Sequence, residues 1–228
     1  MYSLAFLWAP FSHADEKAGL LQDSTQIVSR MEAAAARQRA NLCAYSVEQR
    51  YTLKNKHLNP SAEMDVRMDY KKGQPKHFQV LAMKAQGVAK SSLQKLLHRE
   101  TDTSGKDGHG KDSVDTANYQ FKLLGLENCG NGRCYKLQLK PRHNTKYLVD
   151  GTAWVNVDDF GLVRVSGHLS KSPSFWLSQP VIEQHFEKVD EFWLPSYNRS
   201  SSHVLFLGEA DLTIEYSGYN VKACDGTA

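Results

Sequence analysis

From residue 16 to residue 39 apolar side chains recur at helical spacing; from Tyr45 onward, in a series of separate runs, they recur at every second position. A period of two marks strands with one buried face, and so many such runs imply an extensive antiparallel sheet. Tyr45, Val47, Gln49 and Tyr51 alternate with Ser46, Glu48, Arg50 and Thr52, and Met64, Val66, Met68 and Tyr70 alternate with Asp65, Arg67, Asp69 and Lys71. Gly73-Gln74-Pro75 turns the chain, and residues 77–83 return as a strand. Six more strands are expected at 119–127, 135–139, 152–157, 162–169, 181–189 and 212–216, with 192–197 and 203–207 as less regular additions. Asp158-Asp159-Phe160-Gly161 reads as a hairpin-like turn, and Pro141 and Pro195 mark edges or bends. Leu20, Ile27, Val28 and Met31 give the first helix an apolar stripe, and the alanines at 33–36 extend it at high propensity. A second helix is expected over 91–100, capped by Ser91 or Ser92, with Leu93, Leu96 and Leu97 inward. Residues 101–115 are polar and glycine-rich and read as a loop. The class is α+β, a strongly curved antiparallel sheet with helices on one face.

The ends and the cysteines speak to location. Residues 4–11 are apolar, and Ser12-His13-Ala14 fits the small-x-small rule for signal cleavage after Ala14. The run is well short of the roughly 20 apolar residues a membrane span requires. Residues 1–14 are therefore expected to be a signal peptide and 15–228 one domain; a short buried strand is the other way to read the run. Cys129 and Cys134 bracket the turn Gly130-Asn131-Gly132-Arg133, so a hairpin would set them opposite one another within reach of a disulfide. Cys43 and Cys224 would then join the two ends of the fold, for about 4–5 kcal/mol in the chain-entropy view; buried free thiols are the alternative.

Several function classes lack their signatures. The chain of 228 residues carries 28 basic and 25 acidic side chains with no dense basic run, so no nucleic-acid footprint is present. No G-x-S-x-G elbow, phosphate-cradling loop or H-E-x-x-H motif occurs, and the nine histidines are scattered singly. Asp158 and Asp159 are neighbours in a turn and are expected to stay solvated. Neither a catalytic site, a metal site nor a cofactor is expected. Aromatic residues do stand out: Trp154, Phe175, Trp176, Phe186, Phe192, Trp193, Tyr197 and Phe206 all fall in the second half. They would pack a core, or they would line a concavity that a half-open sheet leaves for a greasy ligand.

The runs NYQFKLLGLENCGNGRCYKLQLKPR, YLVDGTAWVNVDDFGLVRVSG, VIEQHFEKVDEFWLP and ADLTIEYSGY resemble outer-membrane lipoprotein-sorting proteins, periplasmic carriers of the Lol type, and a related regulator that senses envelope stress. The resemblance covers somewhat under half of the chain by motif. It implies a half-barrel whose concave face is covered by the N-terminal helix and a short inserted helix, over a cavity for acyl chains. It implies a periplasmic monomer that binds a lipid or lipoprotein acyl chain, or alternatively a non-catalytic envelope module that binds a partner protein. The carriers' aromatic-Arg-Trp strand has no counterpart at Met68 to Pro75, so no lid arginine is transferred. Trp154, Phe186 and Trp193, large apolar residues on expected strands, are the candidate lining residues.

Overall fold

The structure, a computed structural model, describes residues 13–55, 58–103, 110–130, 132–172, 178–205 and 208–224. Helix α1 (His13–Asn41) leads into strands β1 (Leu42–Asn55), β2 (Leu58–Lys71) and β3 (His77–Lys84), followed by helix α2 (Gly87–Thr103). Then come β4 (Tyr119–Cys129), β5 (Gly132–Pro141), β6 (Val149–Asn156), β7 (Leu162–Leu169), β8 (Val181–Val189), β9 (Phe192–Val204) and β10 (Gly208–Ala223). The ten strands form one antiparallel sheet in the order β3-β2-β1-β10-β9-β8-β7-β6-β5-β4. It is open: β3 and β4 are its two edges, and the chain passes from one to the other through α2. The fold is α+β, a curved, half-open sheet with two helices among the described residues.

Pairing carries one row of side chains across the whole sheet. Leu123 sits opposite Leu137, then Ala153, Val165, Gln184, Asn198, Ile214, Tyr51, Met64 and Met83, strand by strand. This row faces the helices. Its first residues meet Ile27, Val28 and Met31 of α1, and its last ones meet Ala89 and Leu93 of α2. Both helices thus cover one face, with an apolar cluster under each and a polar pair, Gln184 and Asn198, between them. The next row points the other way and is charged or aromatic: Lys136, Trp154, Arg164, His185, Tyr197, Glu215, Arg50 and Asp65. One residue of slip would exchange the two rows, so this alternation fixes the register.

Curvature is built in at Gly151 and Gly167, which pair across β6 and β7. A Cβ on either would overlap the backbone of the other strand, so only glycine lets the two strands approach this closely.

Some elements differ from the sequence reading. Helix α2 begins at Gly87 rather than beside Ser91, and Ser91 lies a turn inside it with its hydroxyl donating back to the Gly87 carbonyl. The expected pieces at 192–197 and 203–207 belong to one strand, β9. Its polar stretch stays in the sheet because β10 satisfies it: Asn198 donates to the Tyr216 hydroxyl, and Arg199 and Ser201 both bond Asp211. The expected leader at 1–14 lies outside the described residues except for His13 and Ala14, which open α1. Phe175, Trp176 and Phe206 also lie outside them.

Candidate functional site

Helix α1 turns its stripe Ile27, Val28, Met31, Ala34 and Gln38 toward the sheet. The first three are large and buried, and they seat the helix on Leu137 and Val155. One turn further on, alanine replaces the bulky residue. The helix axis stays in place, so a gap remains beneath it. That gap is a groove of about 1060 Å³, walled by residues 33–38 of α1, by residues 113–117, by the β6–β7 turn and by the start of β9. Phe160, Leu162, Phe186, Phe192 and Trp193 supply its aromatic and aliphatic surface.

The turn that presents Phe160 is prearranged. The Asn156 side-chain oxygen accepts from the amides of Asp158 and Asp159, and the Asn156 and Gly161 backbones close the loop. Phe160 takes a left-handed φ of 60°, a conformation bulky residues seldom adopt. Its ring stacks on Tyr135 with centroids 6.0 Å apart. Next to it, Gly161 is irreplaceable in space: a Cβ there would collide with the Trp193 indole. The indole N–H donates to both Asp159 oxygens at 3.1 Å, and Lys188 pairs with the same carboxylate at 2.6 Å. Burial pushes the Asp159 pKa up, but the bonds from Lys188, the Gly161 amide and Trp193 outweigh it and hold the carboxyl below its usual value. Asp159 is thus a structural anchor for Trp193 rather than a solvated turn residue.

The tail of α1 is latched into the sheet. The β9–β10 ladder ends at Tyr197–Glu215, while β10 runs on beside β1 alone. The sheet splays there, and the side-chain amide of Gln38 fills the opening. Gln38 Nε2 donates to the Trp193 carbonyl and the Trp193 N–H donates to Gln38 Oε1, both at 2.9 Å. Tyr219 donates its hydroxyl to the Pro195 carbonyl across the same gap. A second tie comes from Glu32, which accepts from the Thr116 amide at 2.6 Å and from its hydroxyl at 2.8 Å.

Of the three residues singled out in the sequence, Phe186 and Trp193 line the groove. Trp154 does not. Register places it in the outward row, with Arg164 4.7 Å and Lys136 5.4 Å from its ring centroid and its indole N–H bonded to Glu127. It is buried by these charged stems, not by a cavity. The cysteines form two disulfides, Cys43–Cys224 and Cys129–Cys134, with Cα atoms 4.8 and 5.9 Å apart. Val114, Phe160, Gln38 and the alanines were missed: an alanine run reads as helix propensity, and Val114 sits in a polar stretch. Among the described residues no three of His, Cys, Asp and Glu gather to hold a metal, and no helix is long and apolar enough to cross a membrane.

What these parts define is a half-open sheet roofed by a helix, with an apolar groove between the two. No family model matches the chain, and no curated protein matches it. Solved structures similar to it include a LolA superfamily protein of Nitrosomonas europaea, at TM-score 0.43 and 10% identity over 89% of this chain and 94% of that one. A domain assigned to outer membrane lipoprotein sorting in Vibrio parahaemolyticus gives TM-score 0.48 and 9% identity over 88% and 93%. A DUF1329 family protein of Desulfovibrio piger gives TM-score 0.48 and 16% identity over 88% and 95%. No residue role is carried over from them.

Proposed function

We propose that this chain is a periplasmic binding protein or carrier for a lipid or a lipoprotein acyl chain, which it holds in the groove beneath α1. The observation that carries this reading is the groove itself: an open hollow of about 1060 Å³ with an apolar wall of Phe160, Leu162, Phe186, Phe192 and Trp193 and a roof of alanine where packing would call for leucine. Ligand sites are commonly concave, mostly apolar and fixed by a few polar groups. Here the Asp159–Lys188–Trp193 and Gln38–Trp193 contacts fix the wall and the roof in place. Two disulfides and the apolar leader expected at residues 1–14 support an oxidising, exported setting. A second reading, an envelope module that binds a partner protein, draws on the open edges: β3 exposes Val80 and Leu81, and β4 exposes Leu124 and Leu126. Such edges can accept an extended segment.

The test measures the affinity of a fluorescent acyl-chain probe, and the thermal midpoint, for four variants. Phe186→Gln and Trp193→Gln should weaken binding by placing a polar amide in the groove. Ala34→Leu should block the groove while the fold is kept. Trp154→Gln, on the opposite face, should leave affinity alone and lower stability by about 3–5 kcal/mol. If wild-type protein binds no acyl probe, the carrier reading fails and the partner-protein reading takes its place.

A further inference from the structure

Beside the groove, along α1, lies a smaller hollow of about 500 Å³, lined by Arg30, Ala33, Arg37, Asp158, Asp159 and Phe160. Arg30 and Arg37 stand two helical turns apart, about 10.5 Å along the axis and on one face. Between them Ala33 leaves a notch. Among the described residues neither guanidinium forms an ion pair with a carboxylate; Arg30 lies over the Phe160 ring, 5.3 Å from its centroid. The acidic side of the hollow is largely committed already. Asp159 is held by Lys188, the Trp193 indole and the Gly161 amide, which leaves Asp158 as the one carboxylate in the lining without a cationic partner among the described residues. Two guanidiniums without a carboxylate partner among the described residues thus border a notch that shares Ala33, Arg37, Asp159 and Phe160 with the groove. Arginine's planar donors suit oxyanions, and it sheds water more readily than lysine.

Resting on the reading of the groove as an acyl-chain site, we infer that its ligand is an amphiphile with an anionic head. The chain lies against Phe186 and Trp193, and the head, a phosphate or a carboxylate, sits in the notch between Arg30 and Arg37. Lysophospholipids and fatty acids share this chemistry. The Asp158 carboxylate opposes a purely anionic head, so Asp158→Asn should strengthen binding of such probes.

The experiment compares three probes with one oleoyl chain each: oleate, oleoyl lysophosphatidylglycerol and uncharged monoolein. They are titrated into the whole protein, with intrinsic tryptophan fluorescence or competition against an acyl probe as the readout. Wild-type protein should bind at least one charged probe about tenfold more tightly than monoolein, and added salt should shrink the difference. Whichever charged probe wins identifies the head. Arg30→Gln/Arg37→Gln should bind all three alike, at the affinity monoolein has for wild type. Arg37→Gln alone, at a side chain with no bonded partner among the described residues, should lose part of the preference with an unchanged thermal midpoint. A wild type that binds monoolein as tightly as the charged probes, or a double variant that keeps the preference, overturns the head-group assignment and leaves the groove reading standing. If no probe binds, monoolein included, the groove reading falls and takes the assignment with it.

Discussion

Gln38→Ala should loosen the helix over the groove without unfolding the sheet. The Gln38 amide makes two hydrogen bonds to the backbone of one residue, Trp193, each at 2.9 Å and partly buried. A typical bond contributes about 1 kcal/mol net, and a partner left unsatisfied in a dry place costs about 1–3 kcal/mol. Water can reach a half-buried peptide, so the lower end applies and the pair amounts to about 2 kcal/mol. At roughly 2–4 °C per kcal/mol for a chain of this size, the thermal midpoint should fall by about 4–8 °C. If the tail of α1 opens by itself, the midpoint will move less, and hydrogen exchange at the Trp193 amide and the last turns of α1 will rise instead. Thermal melting and exchange mass spectrometry together cover both cases. A midpoint that stays within about 1 °C, with protection retained in the Trp193 segment, would mean that the splayed end of β9 is held by something other than Gln38.

Three further outcomes are expected. Gly161→Ala should drive the Trp193 indole off the β6–β7 turn, shifting tryptophan emission and lowering the midpoint; unchanged emission would show that the turn can yield. Replacing Cys43 and Cys224 with serine should destabilise more than replacing Cys129 and Cys134, since the pairs are separated by 181 and 5 residues. Loop-closure entropy gives about 5 against about 2 kcal/mol, and denaturant midpoints of the two double variants test the order. Glu127, Asp159, Glu183 and Asp211 all have lowered pKa values. Their stabilisation is fully present above the ordinary carboxylate values of 3.8 and 4.5 and is lost as pH falls through the depressed ones. The midpoint should therefore hold in mild acid and drop steeply below it, and Asp159→Asn should flatten part of that drop.

The sheet was legible because its cause is local: each strand alternates, and alternation needs no knowledge of partners. Strands β7 and β8 coincide with the expected 162–169 and 181–189. The facing of a single side chain is harder, because it depends on register. Trp154 and Trp193 look alike in sequence, yet one is flanked by Lys136 and Arg164 on the outer row and the other rests on a turn. Bulges at Trp154/Val155 and His185/Phe186 shift parity within those ladders, which no alternation count reveals. The groove was less legible still. It is made by side chains that are missing, the alanines of α1, and by contacts such as Gln38 to Trp193 that span 155 residues.

The groove lies where two kinds of packing stop at the same place. Helix α1 gives up bulk after Met31, and the β9–β10 ladder gives out beyond Tyr197. Neither lapse threatens the fold, because stability is supplied on both sides of it. One cluster seats α1 on Leu137 and Val155, and another seats α2 on Tyr51, Met64 and Val66. Between them α1 is held by polar ties, Gln38 to Trp193 and Glu32 to Thr116, which cost little to break where water can replace them. Had leucines continued the stripe, the helix would be fixed by apolar contact, and moving it would expose that surface to water at about 25 cal/mol per Å². Alanine and glutamine leave the tail of α1 attached but adjustable. An apolar chain entering the groove would supply the contacts that the alanines omit, so ligand and helix would stabilise each other through the surface neither buries alone.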